Sequence, residues 1–138
     1  MSAVADVVAY LVDEGVAGGS TGWPIFRRRL NDTSDRQIVV TEDGGLPPLI
    51  RPEEGLGSSS HRDIAVLVTV RGEQWDSDST EAKASEIFSE LHGLLAVTLG
   101  ATEYLRVAAQ TASPVFAGFD ETGRPVHTIG FRLATAAY

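Results

Sequence analysis

The sequence predicts an α+β fold: a mostly antiparallel β-sheet with an N-terminal helix and one longer central helix packed on it. Three observations carry that expectation. Apolar residues recur with helical spacing in two stretches, near the N-terminus and around residues 78–95. Several other runs alternate with a period of two. Two of those runs are joined by "DETGR" (120–124), a hairpin signal with Gly123 available for a positive φ.

The first helix rests on Val4, Val7, Val8, Leu11 and Val12, spaced i, i+3, i+4, i+7 and i+8, which draws one apolar stripe. Ser2 suits its N-cap and Gly15 its end. Asp13 and Glu14 oppose the dipole there, so that end should be solvated. "GVAGGSTG" (15–22) follows as a flexible turn. "PIFRRRL" (24–30) alternates two faces, and its leading proline suits an edge strand. "RQIVVTED" (36–43) is the next strand. "DGGLPPLIRPEEGLGSSSH" (43–61) is dense in Gly, Pro and Ser; an irregular stretch of that length is usually functional or disordered.

"RDIAVLVTVRG" (62–72) is the strongest strand pattern. Ile64, Val66, Val68 and Val70 point one way and should meet the core. Ala65, Leu67, Thr69 and Arg71 point the other, as on a partly covered central strand. After "GEQWDS" the period becomes helical, with Ala84, Ile87, Phe88, Leu91 and Leu94 or Leu95 on one face. Asp78 with Glu81 resembles a capping box, Lys83 can pair with Glu86 on the solvent face, and Gly93 should end the regular helix. Three strands close the chain: 103–111, 114–119 and 125–136. In the last, His127, Ile129, Phe131 and Leu133 share a face.

A chain of 138 residues fits one domain, expected to span 1–138. With 19 acidic and 11 basic residues the formal charge is -8, a poor basis for gripping DNA, although not for letting DNA slide past. The absence of cysteine excludes disulfides, thiolate zinc sites and a cysteine nucleophile. No apolar run approaches the ~20 residues of a membrane span. The N-terminal residues, with Asp6, Asp13 and Glu14 and no basic region, do not read as a secretory signal, so a cytoplasmic place of synthesis and assembly is expected.

Chemistry is sparse. His61 and Asp63 could share a face beside the core strand with Arg62 pointing away, but no third group or pocket is visible to complete a catalytic site. His92 suits a helix C-terminus and His127 a satisfied core position. The three histidines have no ligand-like spacing, so neither metal nor cofactor is expected. "GVAGGSTG" lacks the preceding strand and Gly-Lys-Ser/Thr of a phosphate loop. Asp76 and Asp78 are explained by a capped helix start. Arg27 and Arg29 share a strand face while Arg28 takes the other, which suits a salt-bridging partner surface. Trp23 and Trp75 lie in turns, each either a loop anchor or an interface anchor. Arg71, Gly72, Glu73, Gln74 and Trp75 form a turn held at both ends, with a large aromatic and charges of both signs. The candidate protein-interface residues are therefore Trp23, Arg27, Arg29, Arg71, Glu73 and Trp75.

Two stretches carry a family resemblance. "DIAVLVTVRGEQWDSDSTEAKASEIFSELHGLL" is a strand ending in Val-Arg-Gly, an acidic link, and a helix ending in Leu-His-Gly-Leu. "SPVFAGFDETGRPVHTIGFRL" is a proline, a short strand, a hairpin and a closing strand. With the short N-terminal helix and "PIFRRRL", these resemble the tail terminator or minor capsid (neck) proteins of long-tailed bacteriophages. That resemblance implies a structural virion protein that forms a ring, commonly a hexamer, caps the tail tube, ends its polymerisation and offers a docking surface to the head-tail connector. Its implied partners are itself, the major tail tube protein and the neck proteins. DNA would only pass through the lumen, and no membrane is involved. Neighbouring neck proteins, for tail completion or head-tail joining, are an alternative of similar size. A small ligand-binding domain or enzyme built around His61 and Asp63 is the rival of a different class.

Overall fold

The computed structural model describes residues 2–18, 21–29, 34–46, 62–100 and 102–135. Within them lie α1 (Ala3–Asp13), β1 (Ile25–Arg27), β2 (Gln37–Leu46), β3 (Arg62–Arg71), α2 (Ser77–Leu91), β4 (Leu94–Leu99), β5 (Thr102–Ala109), β6 (Val115–Phe119) and β7 (Pro125–Thr135). The strands form one sheet ordered β1-β2-β3-β7-β5-β4, and β6 pairs with the other half of β7. Only the β1–β2 pairing is parallel; the rest are antiparallel. The α+β class expected from the sequence is the one observed.

Both helices pack on one face of the sheet, and the core lies between. β3 and β7 pair residue for residue from Arg62↔Thr135 to Arg71↔Val126, forming the centre. Val66, Val68 and Val70 of β3 join Ile129, Phe131 and Leu133 of β7, all buried, against Val4, Val7 and Leu11 of α1 and Ala84, Ile87 and Leu91 of α2. Each such aliphatic side chain contributes roughly 1.5–3 kcal/mol by leaving water. The core phase of "RDIAVLVTVRG" is therefore as the alternation indicates. Its opposite face is less open than expected, since Ala65 and Arg71 are also buried.

Ser2 caps α1, its hydroxyl accepting from the Ala5 N–H at 3.2 Å. At the other end Gly15 takes φ 72. Its N–H donates to the Val12 carbonyl (3.1 Å) and the Val16 N–H to the Leu11 carbonyl (3.0 Å), a Schellman closure that requires a left-handed residue. Val12, at the end of the apolar stripe, is exposed. The "GVAGGSTG" segment is not simply a flexible turn, because Val16 and Ala17 drop into the core beneath α1.

Four further differences from the sequence expectation have local causes. β1 stops at Arg27 because Arg28 turns to φ 75, so the alternation that put Arg27 and Arg29 on one strand face does not continue. β2 runs on to Leu46 past an irregularity between Glu42 and Gly45, taking in the first residues of the expected 43–61 loop; residues 47–61 lie outside the described residues. α2 is capped by Asp76, whose carboxylate accepts from the Ser79 N–H, and Asp78 stands in the first turn. Lys83 does pair with Glu86 (2.6 Å), but it also donates to the Val16 carbonyl (2.9 Å), so it straps α2 to the α1 exit.

β4 is the element the period did not reveal. "LLAVTL" continues the helical spacing on paper, and Leu and Ala are good helix formers. Gly93 decides otherwise: at φ 89 it ends the helix, and its N–H donates to the Val107 carbonyl of β5. Leu94–Leu99 then pairs with β5, leaving Leu95 exposed rather than on the α2 core face.

Candidate protein-interaction surface

The turn after β3 is held by backbone bonds to the β6–β7 hairpin. The Gly72 N–H donates to the Pro125 carbonyl at 3.0 Å and the Trp75 N–H to the Gly123 carbonyl at 2.9 Å. Trp75 sits at φ 59, a left-handed conformation that only surrounding structure can enforce on a bulky residue. Its ring lies over the hairpin glycine, where a Cβ added at Gly123 would come within 2.7 Å of it.

The hairpin is rigid for its own reason. Asp120 Oδ1 accepts from the Thr122 N–H, the Thr122 hydroxyl and the Arg124 N–H, while Oδ2 accepts from Arg124 Nε at 2.7 Å. Burial alone would raise the Asp120 carboxyl, but these bonds to the charged form outweigh it and lower the pKa to about 2. Arg124 also reaches Asp35 at 3.2 Å, tying the hairpin to the segment before β2.

On this frame stands a run of exposed aromatics. Trp75, 68 % exposed, packs on Phe119 with ring centroids 5.1 Å apart. Phe119 meets Phe116 edge to face at 5.4 Å, and Phe116 meets His127 at 5.2 Å. Val115, Phe116 and Phe119 are all about half exposed in β6. Between β6 and α2, Phe116 and Phe119 border an open groove of about 430 Å³, whose other wall is Ser77, Glu81 and Ser85, one face of α2. His127 is buried at its floor, and its Nδ1 has no hydrogen-bond partner among the described residues. Burial lowers the imidazole pKa, with the nearby Glu81 charge acting in the opposite sense, so His127 is neutral at pH 7.

The residues singled out from the sequence separate into three places. Trp75 belongs to this surface; Glu73, two residues before it in the same turn, is exposed and pairs with Arg36 at 3.4 Å, and Arg36 also reaches Asp76 at 3.6 Å. Trp23 and Arg71 are 5 % and 3 % exposed, so neither offers a contact surface on the folded subunit. Trp23 is a core anchor with the Arg36 guanidinium over its ring at 5.1 Å. Arg71 donates from Nη2 to the Ser34 carbonyl (2.7 Å) and from Nε to the Asp35 carbonyl (3.2 Å), clamping the approach to β2. Arg27 and Arg29 are exposed at the far edge of the sheet.

Phe116, Phe119 and the α2 face opposite them were not singled out from the sequence. The signal was present: "VFAGF" has no polar residue on either strand face, unusual for a short edge strand exposed to water.

Chemically the surface offers recognition more readily than reaction. His61 lies outside the described residues. His92 is engaged structurally, its Nδ1 accepting from the Ala109 N–H at 2.9 Å. Among the described residues no group of three or more His, Asp or Glu is placed to hold a metal ion. No helix among them is long and apolar enough to cross a membrane.

Comparison with known families adds one result. A family model described as bacteriophage tail terminator protein matches residues 10–136 of the 138. No curated protein matches the chain.

Proposed function

The chain belongs to the bacteriophage tail terminator family, and from that premise we propose that copies of it form a ring, a hexamer, which caps the tail tube, ends its polymerisation and presents the docking surface for the head-tail connector. Membership makes it a structural component of the virion tail that works with other tail or neck proteins. The ring, the tube end and the connector are the partners we assign within that role. Assembly takes place in the host cytoplasm.

One observation carries the reading. Trp75, Phe116 and Phe119 form an exposed aromatic surface held on a bonded turn, a carboxylate-locked hairpin and a strand. Rigid, exposed aromatics are the usual anchors of a protein interface, since they bury much area and lose little freedom. Among the described residues no hydrogen bond joins His127 Nδ1 to a serine or carboxylate of the groove, as a nucleophile–base pair would need. A formal charge of -8 agrees with a lumen through which DNA passes without adhering.

Electron microscopy of tails assembled with and without the protein tests the reading. Without it, tubes should exceed their set length and carry no heads. Tails of normal length, joined to heads in its absence, would overturn the proposal.

A further inference from the structure

We infer that the groove between α2 and β6 receives the β1 edge of a second copy, so that neighbouring subunits join head to tail with Arg27 and Arg29 of one against the acidic aromatic face of the next. The inference rests on the self-assembly proposed above and adds which surfaces meet and in what order.

Register places the two edges. One row of the sheet runs Ile25, Ile38, Val70, His127, Phe116, and the next runs Phe26, Val39, Thr69, Thr128, Val115. β1 and β6 thus end the same rows on opposite sides of the sheet. Four strand spacings separate them, roughly 19 Å, so they cannot touch within one subunit. Direction agrees as well. β1 runs with β2, β3 against it, β7 with it and β6 against it, so β1 and β6 are antiparallel. A second copy in the same orientation brings its β1 alongside β6 in the antiparallel sense, the more stable way to extend a sheet.

Charge selects this arrangement over its alternative. Among the described residues Arg27 and Arg29 have no ion-pair partner, while Arg28 is taken by Glu42 at 2.8 Å. Glu81 on the groove wall, Asp78 in the first turn of α2 and Glu121 in the hairpin are likewise without one among the described residues. His127, neutral beneath Glu81, supplies no compensating cation. A two-fold contact of groove with groove would set these carboxylates against their own copies, which like-charge repulsion disfavours. A contact between two different surfaces pairs arginine with carboxylate, and such head-to-tail contacts close into rings when the rotation permits. Ile25 and Phe26, partly exposed on β1, add apolar area opposite Phe116 and Phe119.

The cysteine-free chain makes a clean test. Arg27→Cys combined with Ser113→Cys, both exposed and within one row of each other by register on the opposing edges, Ser113 lining the groove, should on oxidation give a ladder of linked oligomers. This should hold in solution or on assembled tails, and neither single variant should link beyond a dimer. Arg27→Glu with Arg29→Glu should raise the concentration for half-assembly at least tenfold by native mass spectrometry, and adding Glu81→Arg to the same chain should restore it. Absence of the ladder, or of rescue, overturns the inference. If wild type still assembles, the ring stands and its interface lies elsewhere. If wild type assembles neither in solution nor on tails, the ring reading itself falls.

Discussion

Arginine 71 and tryptophan 75 stand four residues apart in one turn and do opposite things. Arg71 is buried with its guanidinium on the Ser34 and Asp35 carbonyls, so Arg71→Glu places an anion against two acceptors in a dry site. We expect a loss of about 3–5 kcal/mol in urea denaturation, the scale of a broken buried ionic contact, rather than a folded surface variant. Trp75→Ala removes an exposed ring that touches Phe119. It should cost the isolated subunit about 0.5–1.5 kcal/mol while clearly weakening assembly by native mass spectrometry. Asp120 makes a pH prediction. Its folded pKa of about 2 lies below the ordinary 3.8, so its stabilisation is complete above 3.8 and is lost as pH falls toward 2. Asp120→Asn should remove that part of the acid dependence of the melting temperature, with the remaining carboxylates unaffected.

Elements show where a local pattern is sufficient and where it is not. β3 is specified twice, by its own alternation and by pairing on both sides, continuous along β7 and interrupted once along β2. Val68→Asp, at a fully buried position, should therefore abolish the cooperative unfolding transition, since a carboxylate there costs several kcal/mol. A soluble variant with an unchanged melt by circular dichroism would mean that the strand phase is wrong. The β6–β7 hairpin depends on Gly123 at φ 81 beneath the Trp75 ring. Gly123→Ala should displace that ring, visible as a shift in Trp75 fluorescence, and lower stability by about 1–2 kcal/mol through backbone strain.

At the scale of the molecule, the sheet presents different surfaces at different edges: arginines beside β1 and aromatics with carboxylates beside β6. The segment 47–61 connects strands that are already paired, because Leu46 stands opposite Asp63. Replacing 47–61 by a short turn should leave a folded subunit, since closing neighbouring ends costs little. If the segment serves assembly, such subunits should complement no infectious particles. Normal particle yield would make it a spacer.

Sequence alone carried the fold class and, among the described residues, both helices, six of the seven strands, the hairpin and the core phase of β3 and β7, because each rests on a period that repeats over a short window. It also carried the family resemblance, through strand and turn boundaries along most of the chain. Tertiary structure decided what the period leaves open. Whether "LLAVTL" is helix or strand depended on β5 being available to accept the Gly93 N–H. Whether Trp23, Arg71 and Trp75 face water or core depended on partners far along the chain: Arg36 and Lys83, the 34–35 carbonyls, and Gly123 with Phe119. The groove between α2 and β6 exists only because β7 pairs with β3, β5 and β6, setting a helix face beside a strand some thirty residues away. Periodicity states which residues share a face of an element. Burial and contact are properties of pairs of elements, and a one-dimensional pattern does not contain them.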